Sequence, residues 1–244
     1  MTAVFVHGVP ETDRVWDGVR GALSRTDTVA LSLPGFGNPL PARFEPTMDN
    51  YADWLIAQLE GMDGPVDLVG HDWGGGFTVR LVSLRPDLVR SWVTDAAGLA
   101  DVDFEWHDFA KIWQTPGAGE EFMDAQLETA PADRAALYTS LGMSDEAALT
   151  MASAFDRTMA DAILALYRSA TEVHKAWGPA FADIPKPGMV LVPSDDIFLN
   201  ADAARRSAAR AGARVAELQG HGHWWMAGDP TAGVKALEEF WASL

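Results

Sequence analysis

The sequence predicts one doubly wound α/β domain, with a mostly parallel sheet of about six strands and a helical insertion after the fourth. Three observations lead there: short apolar runs recurring between helix-like stretches, one long interval that breaks this rhythm, and a Gly-rich turn joining a run to a helix. The runs are Ala3–Val6, Thr28–Leu31, Val66–Val69, Ser91–Thr94, Met189–Val192 and Arg214–Leu218. Several are almost continuously apolar, as strands buried on both faces of a parallel sheet are. Helix-like text lies at Val15–Leu23, Met48–Glu60, Gly76–Ser83, Ala201–Ala211 and Thr231–Ser243. From Val102 to Pro187 no run reads as a strand; the text is rich in Ala, Met and Asp and is punctuated by Pro116-Gly117, Pro131 and Gly142. A non-sheet insertion this long in a compact domain is more often functional than idle. The expected organisation is a core of residues 1–101 and 188–244 with a helical cap at 102–187, closed by Pro185-Lys186-Pro187 at the start of the fifth strand.

Composition narrows the function. The 244 residues are 48 % hydrophobic, enough for a sizeable core. Acidic residues outnumber basic ones 35 to 18, and the net charge of -17 repels nucleic acid and anionic lipid. The expected partners are water and a small neutral organic substrate. There is no cysteine and therefore no disulfide. No run approaches the ~20 apolar residues of a membrane span, and the first residues lack the basic and apolar regions of a secretory signal. The expected location is cytoplasmic.

Residues Gly70-His71-Asp72-Trp73-Gly74-Gly75-Gly76 join the third run to the following helix. Small residues two before and two after Asp72 permit a strained turn that lifts one side chain out of the fold. That side chain is a carboxylate. It needs no base to act as a nucleophile at neutral pH, and it suits attack on an sp3 carbon bearing a strained or good leaving group. An N-capping Asp in a Gly-rich loop accounts for the same turn but not for the rest of the pattern. Hydrolysis of the resulting ester needs a histidine to activate water and an acid to orient it. After the fifth run comes Pro193-Ser194-Asp195-Asp196, and after the sixth Gly220-His221-Gly222-His223-Trp224. Both segments lie just past the carboxyl ends of their strands, where open α/β sheets bind ligands. His223 is the expected base, with His221 its competitor; Asp196 is the expected acid, with Asp195 and Asp95 as alternatives. The first run ends in His7-Gly8-Val9-Pro10-Glu11, and the backbone N–H groups of Val9 and Trp73 are the expected oxyanion hole.

Together these residues resemble the branch of the α/β-hydrolase superfamily that holds epoxide hydrolases and haloalkane dehalogenases. The resemblance runs nearly the full length: His7-Gly8-Val9-Pro10-Glu11, Leu33-Pro34-Gly35-Phe36-Gly37, Gly70-His71-Asp72-Trp73-Gly74-Gly75, Asp196 and Gly222-His223-Trp224. It implies the α/β-hydrolase fold, no cofactor and no metal. In epoxide hydrolases of this type, two cap tyrosines grip the epoxide oxygen. The second usually precedes an arginine, and Leu166-Tyr167-Arg168 is similar, which gives Tyr167 that role. The first usually lies before a Gln-x-Pro-Gly segment; here that segment is Gln114-Thr115-Pro116-Gly117, and Phe109 occupies the register of the tyrosine. Phe cannot donate a hydrogen bond, which leaves Tyr138, His107 and Trp113 as substitutes. These residues, with His7 and Phe109, are expected around the substrate. Relatives usually open with an antiparallel hairpin, whereas only Met1 and Thr2 precede the first strand here; the trimmed sheet edge offers a place for a second copy in a homo-oligomer. The implied activity is opening of a neutral apolar epoxide to a diol. The alternative is a haloalkane dehalogenase in which Trp73 and Trp113 clasp the halide, and a third reading is a non-catalytic ligand-binding member of the fold.

Overall fold

The computed structural model describes residues 1–244. Strands β1 (Ala3–Val6), β2 (Thr28–Leu31), β3 (Val66–Gly70), β4 (Val89–Thr94), β5 (Gly188–Pro193) and β6 (Arg214–Leu218) form one sheet in the order β2-β1-β3-β4-β5-β6. Every pairing is parallel. Each expected run lies within one observed strand. Side chains alternate between two apolar clusters: Val4 and Val6 face one, Ala3 and Phe5 the other, and in β5 Val190 and Val192 oppose Met189 and Leu191. Full burial of one such side chain contributes about 1.5–3 kcal/mol.

The crossovers cover both faces. Helices α2 (Met48–Glu60) and α3 (Trp73–Leu84) pack on the cluster of Val4 and Val6, whereas α1 (Asp17–Ala22) packs on the other face. The expected helix at Val15–Leu23 is divided, with a 3-10 turn at Asp13–Trp16 preceding α1. The helix expected from Gly76 begins at Trp73 and takes in Gly74 and Gly75. Glycine costs roughly 1 kcal/mol in a helix interior, which is why helix propensity starts this element late. The structure supplies the compensating reason: a Cβ on Gly74 would collide with the carbonyl oxygens of Val6 and His7, where α3 meets the end of β1.

Between β4 and β5 the chain forms α4 (Asp108–Gln114), α5 (Ala118–Glu128), α6 (Pro131–Ser140), α7 (Asp145–Ala154), α8 (Arg157–Ser169) and α9 (Val173–Trp177), with no strand. Side chains of His107, Ser144 and Asp156 cap α4, α7 and α8 by accepting from orphan backbone N–H groups. Met159, Ile163, Leu166 and Tyr167 form the buried stripe of α8, while Arg157 and Asp161 face solvent. Residues of α4, α5 and α8 join one apolar cluster; Tyr138 of α6 and Met151 of α7 join the other, beside Trp16 and Trp224. The insertion thus straddles the carboxyl end of the sheet. The chain then completes α10 (Ala201–Ala211), α11 (Trp225–Gly228) and α12 (Thr231–Ala242). No helix is long and apolar enough to cross a membrane.

From β1 the chain runs to β2 on one side, while β3 pairs with β1 on the other, with Val6 opposite Gly70. The crevice at this reversal is where open α/β sheets bind ligands. It receives the loop after β1 and the turn before α3.

Candidate active site

Asp72 sits at the apex of the strand-to-helix turn with φ 48° and ψ −120°. A non-glycine residue in such a conformation costs of order 1–3 kcal/mol and persists only where its surroundings fix it. They do so here: Asp72 N–H donates to Oδ1 of Asp95 at 3.0 Å, and Oδ2 of Asp72 accepts from Val9 N–H at 2.9 Å. Gly8 allows this approach, since a Cβ there would collide with the Asp72 side chain. Burial lifts the Asp72 carboxyl above its ordinary range, against the opposing influence of His223 and His71.

His223, after β6, places Nδ1 2.9 Å from Oδ2 of Asp196, whose Oδ1 accepts from Phe198 N–H at 2.8 Å. Burial would keep His223 neutral, but Asp196, aided by Asp72, raises it above the ordinary histidine range. The other two acids lie elsewhere. Asp195 is exposed and accepts from Ser194 Oγ at 2.7 Å. Asp95 is buried beneath the turn, where it accepts from Asp72 N–H, from His71 Nδ1 at 2.6 Å and from Trp225 Nε1 at 2.9 Å. His221 bonds through Nδ1 to the Gln219 carbonyl at 2.9 Å on the solvent side of its loop.

Glu11 is fully buried, and sequence reasoning assigned it no role. Its Oε2 accepts from Gly8 N–H at 3.1 Å, and its Oε1 accepts from His71 Nε2 at 3.1 Å and from Trp224 Nε1. His7, expected beside the substrate, does not line the cavity. Its Nε2 accepts from Leu33 N–H at 3.0 Å, its Nδ1 donates to the Gly8 carbonyl at 2.8 Å, and burial keeps it neutral. It therefore braces the loop after β1 from below. Glu11, His71 and His223 each bring one metal-ligating atom within 4.8 Å of the others. The contact between His71 and Glu11 is a hydrogen bond, and a metal there would have to displace its proton.

Above Asp72 lies a mainly apolar cavity. Val9, Asp72 and His223 form its floor, and His107, Phe109, Trp113, Tyr138 and Tyr167 from the insertion line it. Met123, Phe155, Ile163 and Phe198 complete much of the apolar wall, and only their packing reveals this. His107 lines both this cavity and a smaller pocket that also reaches Asp72 and Trp73. The Nδ1 of His107 accepts from Ala110 N–H at 3.2 Å, so the proton of the neutral ring is on Nε2. Burial lowers this histidine to about 4, which keeps it neutral. Burial, reinforced by the Asp72 carboxylate, lifts the Tyr167 hydroxyl well above its ordinary range and keeps it protonated. The ring of Tyr167 packs against Trp73, Trp113 and Trp106 with centroids 5.5, 4.8 and 5.1 Å away. The indole N–H groups of Trp73 and Trp113 are buried without a partner in the chain.

A sequence model of the alpha/beta hydrolase family matches residues 3–237. Lipase LipV of Mycobacterium tuberculosis is 37 % identical over 90 residues, a match that covers 36 % of this chain and 34 % of that protein. The chain thus spans about a third of the length of that curated relative. Among solved structures, a loop variant of haloalkane dehalogenase DbeA from Bradyrhizobium elkanii superposes with a TM-score of 0.78 at 20 % identity, over 99 % of this chain and 89 % of the other. Cfl2 from Burkholderia cenocepacia gives a TM-score of 0.80 at 20 % identity, over 98 % and 87 %. E-2-(acetamidomethylene)succinate hydrolase gives 0.74 at 20 % identity, over 99 % and 91 %. At this identity the structural likeness is one of fold.

Proposed function

The chain belongs to the alpha/beta hydrolase family, and within it we propose an epoxide hydrolase that opens a neutral, largely apolar epoxide to a vicinal diol. The observation that carries this reading is the pairing of a carboxylate at the strained turn with a protonated hydroxyl, Tyr167, in one apolar cavity. Asp72 supplies an electron pair without a base, and Tyr167 supplies the proton that an alkoxide needs.

In the first step Oδ1 of Asp72 forms a bond to an epoxide carbon as the carbon–oxygen bond of the ring breaks. Tyr167 gives its proton to the departing oxygen and is left as a tyrosinate. The Nε2–H of His107 offers a second donor and takes the place of the tyrosine that Phe109 lacks. In the second step Nε2 of His223 removes a proton from water, and the hydroxide attacks Cγ of the ester. Charge then develops on Oδ2, which already accepts from Val9 N–H; the N–H of Trp73 is the second donor in this reading. Collapse expels the alkoxide, which takes the proton from His223, and the acid left on Asp72 passes its proton through water to the Tyr167 tyrosinate, restoring both groups.

A haloalkane dehalogenase is the second reading, because the buried N–H groups of Trp73 and Trp113 would suit a halide. Against it, Tyr167 packs on both indoles and brings a hydroxyl proton that a halide does not require. The deciding experiment offers the enzyme a terminal epoxide, a bromoalkane of the same carbon skeleton and a p-nitrophenyl ester side by side. Diol formation from the epoxide supports the reading. Bromide release without diol formation overturns it.

A further inference from the structure

Of the three tyrosines in the chain, two have partners or a role: Tyr51 donates to the Pro34 carbonyl at 2.7 Å, and Tyr167 has its place in the proposed first step. Tyr138 has neither. It lines the cavity, it is only 5 % exposed, and its hydroxyl finds no hydrogen-bond partner in the chain. A buried tyrosine ordinarily finds one. Its ring packs against Trp224 with centroids 5.2 Å apart, whereas Tyr167 packs among Trp73, Trp106 and Trp113, so the two rings belong to different sides of the cavity. Burial raises the Tyr138 hydroxyl above its ordinary range, so it keeps its proton and can donate.

Gln126 shares this side. Arg134 stands one helical turn before Tyr138 on α6, and its guanidinium donates to the backbone carbonyls of Gln126, Thr129 and Ala152. The Gln126 side chain lines the cavity and makes no hydrogen bond within the chain. Arg134 is buried and pairs with no carboxylate; it lies 4.8 Å from the centre of the Phe155 ring, and Phe155 lines the cavity where Arg134 does not. An uncompensated positive charge thus stands behind the wall and favours the negative end of a dipole on the cavity side. A carboxylate fits less well, because no guanidinium reaches it there and it would share an apolar space with Asp72.

We propose that the Tyr138 hydroxyl and the Gln126 amide form a subsite for an uncharged carbonyl oxygen, so that the substrate is an epoxide whose chain carries a ketone, ester or amide remote from the ring. Neither group takes part in opening the epoxide or hydrolysing the ester. Their effect is on selection, since a site with donors waiting for an oxygen rejects the analogue that leaves them unpaired.

The substrate assignment rests on the epoxide reading, but the subsite has a test of its own. Terminal epoxydecanes in which one chain methylene after another is replaced by a ketone are compared with the parent epoxydecane. At the best position kcat/KM should exceed that of the parent by about tenfold, the scale of one hydrogen bond. Tyr138→Phe should bring this ratio close to one, and Gln126→Leu should lower it by less. Loss of packing alone would slow both epoxides alike and leave the ratio unchanged. The keto diols of the series, bound without turnover, should include one whose infrared carbonyl band lies at lower frequency in the unaltered protein than in Tyr138→Phe. A ratio near one at every position would overturn the inference, as would a ratio or a carbonyl band that Tyr138→Phe does not alter. If none of the epoxides is opened while a bound carbonyl still responds to Tyr138, the subsite stands and the epoxide reading falls; if all are opened at equal rates, the subsite falls and the reading stands.

Discussion

Val9 N–H donates to Oδ2 of Asp72 at 2.9 Å, while Oδ1 makes no hydrogen bond within the chain. The two oxygens of one carboxylate thus have different surroundings: Oδ1 is free to attack in the proposed first step, and Oδ2 rests where charge would develop in the proposed ester hydrolysis. Gly8 makes this possible. Gly8→Ala should place a methyl group against Asp72, displace the carboxylate and reduce turnover by about 100-fold, the scale expected of a displacement near 1 Å. Stability should fall by about 1–3 kcal/mol, the usual cost of overpacking a buried position, which leaves the protein folded at assay temperature. Steady-state rates and a melting curve check this; full activity in Gly8→Ala would show that the Val9 contact does not matter.

Tyr167→Phe removes the proton donor and leaves the ring packing in place. Epoxide opening should slow by at least about tenfold, given that single oxyanion donors are commonly worth more, while release of a halide from any bromoalkane turned over should be less affected. His107→Phe should give a smaller loss, and Phe109→Tyr should raise epoxide turnover if the added hydroxyl reaches the cavity. Rapid-mixing measurements of the alkylation step separate these effects from later steps. An unchanged alkylation rate in Tyr167→Phe would assign the proton to another group.

Alkylation requires ionised Asp72, and burial raises this group above its ordinary value of 3.8. The alkylation rate should therefore fall with acid at a higher pH than an exposed aspartate would give. Tyr167 is held well above its ordinary value of 10.0, so the proton donor should impose no alkaline limb below about pH 10. A pH profile of single-turnover alkylation tests both limbs. An alkaline limb near pH 9 that disappears in Tyr167→Phe would contradict this assignment of charge.

Stability should carry the signature of the buried contact between His71 and Glu11. Burial opposes ionisation of Glu11, but His71 and its neighbours bring it from 4.5 down to about 2. Its contribution is therefore present above pH 4.5 and is lost as pH falls toward 2. His71 is shifted upward, so its contribution is complete below 6.5 and declines as pH rises through the higher folded value. Both contributions are complete between these limits. Urea unfolding at pH 6 should show Glu11→Gln less stable by about 3 kcal/mol, the usual scale for a broken buried pair, with a smaller difference at pH 3. An equal difference at both pH values would rule out the linkage.

The strands were legible because each is a short apolar run buried on two faces, and that burial leaves a local trace. The start of α3 was not, because Gly74 serves the contact with Val6 and His7, and no local preference encodes it. Asp72, Asp196 and His223 stood in three loops at strand ends, and the structure brings their side chains together. The choice among Asp95, Asp195 and Asp196 depended on which way adjacent loops turn. Glu11 was hidden for a different reason: its partners His71 and Trp224 are distant in sequence, and an acid in a turn ordinarily faces water. The position of the His107 proton became legible only from the capping contact with Ala110.

The most direct test of the central claim is the intact mass of His223→Gln after mixing with a terminal epoxide. The nucleophile needs no base and ester hydrolysis does, so the first step should proceed and the second should stop. One protein molecule should gain the whole mass of one epoxide, with nothing lost, and digestion should place the addition on the peptide containing His71-Asp72-Trp73. Unmodified protein would contradict the account, and so would an adduct on any residue other than Asp72.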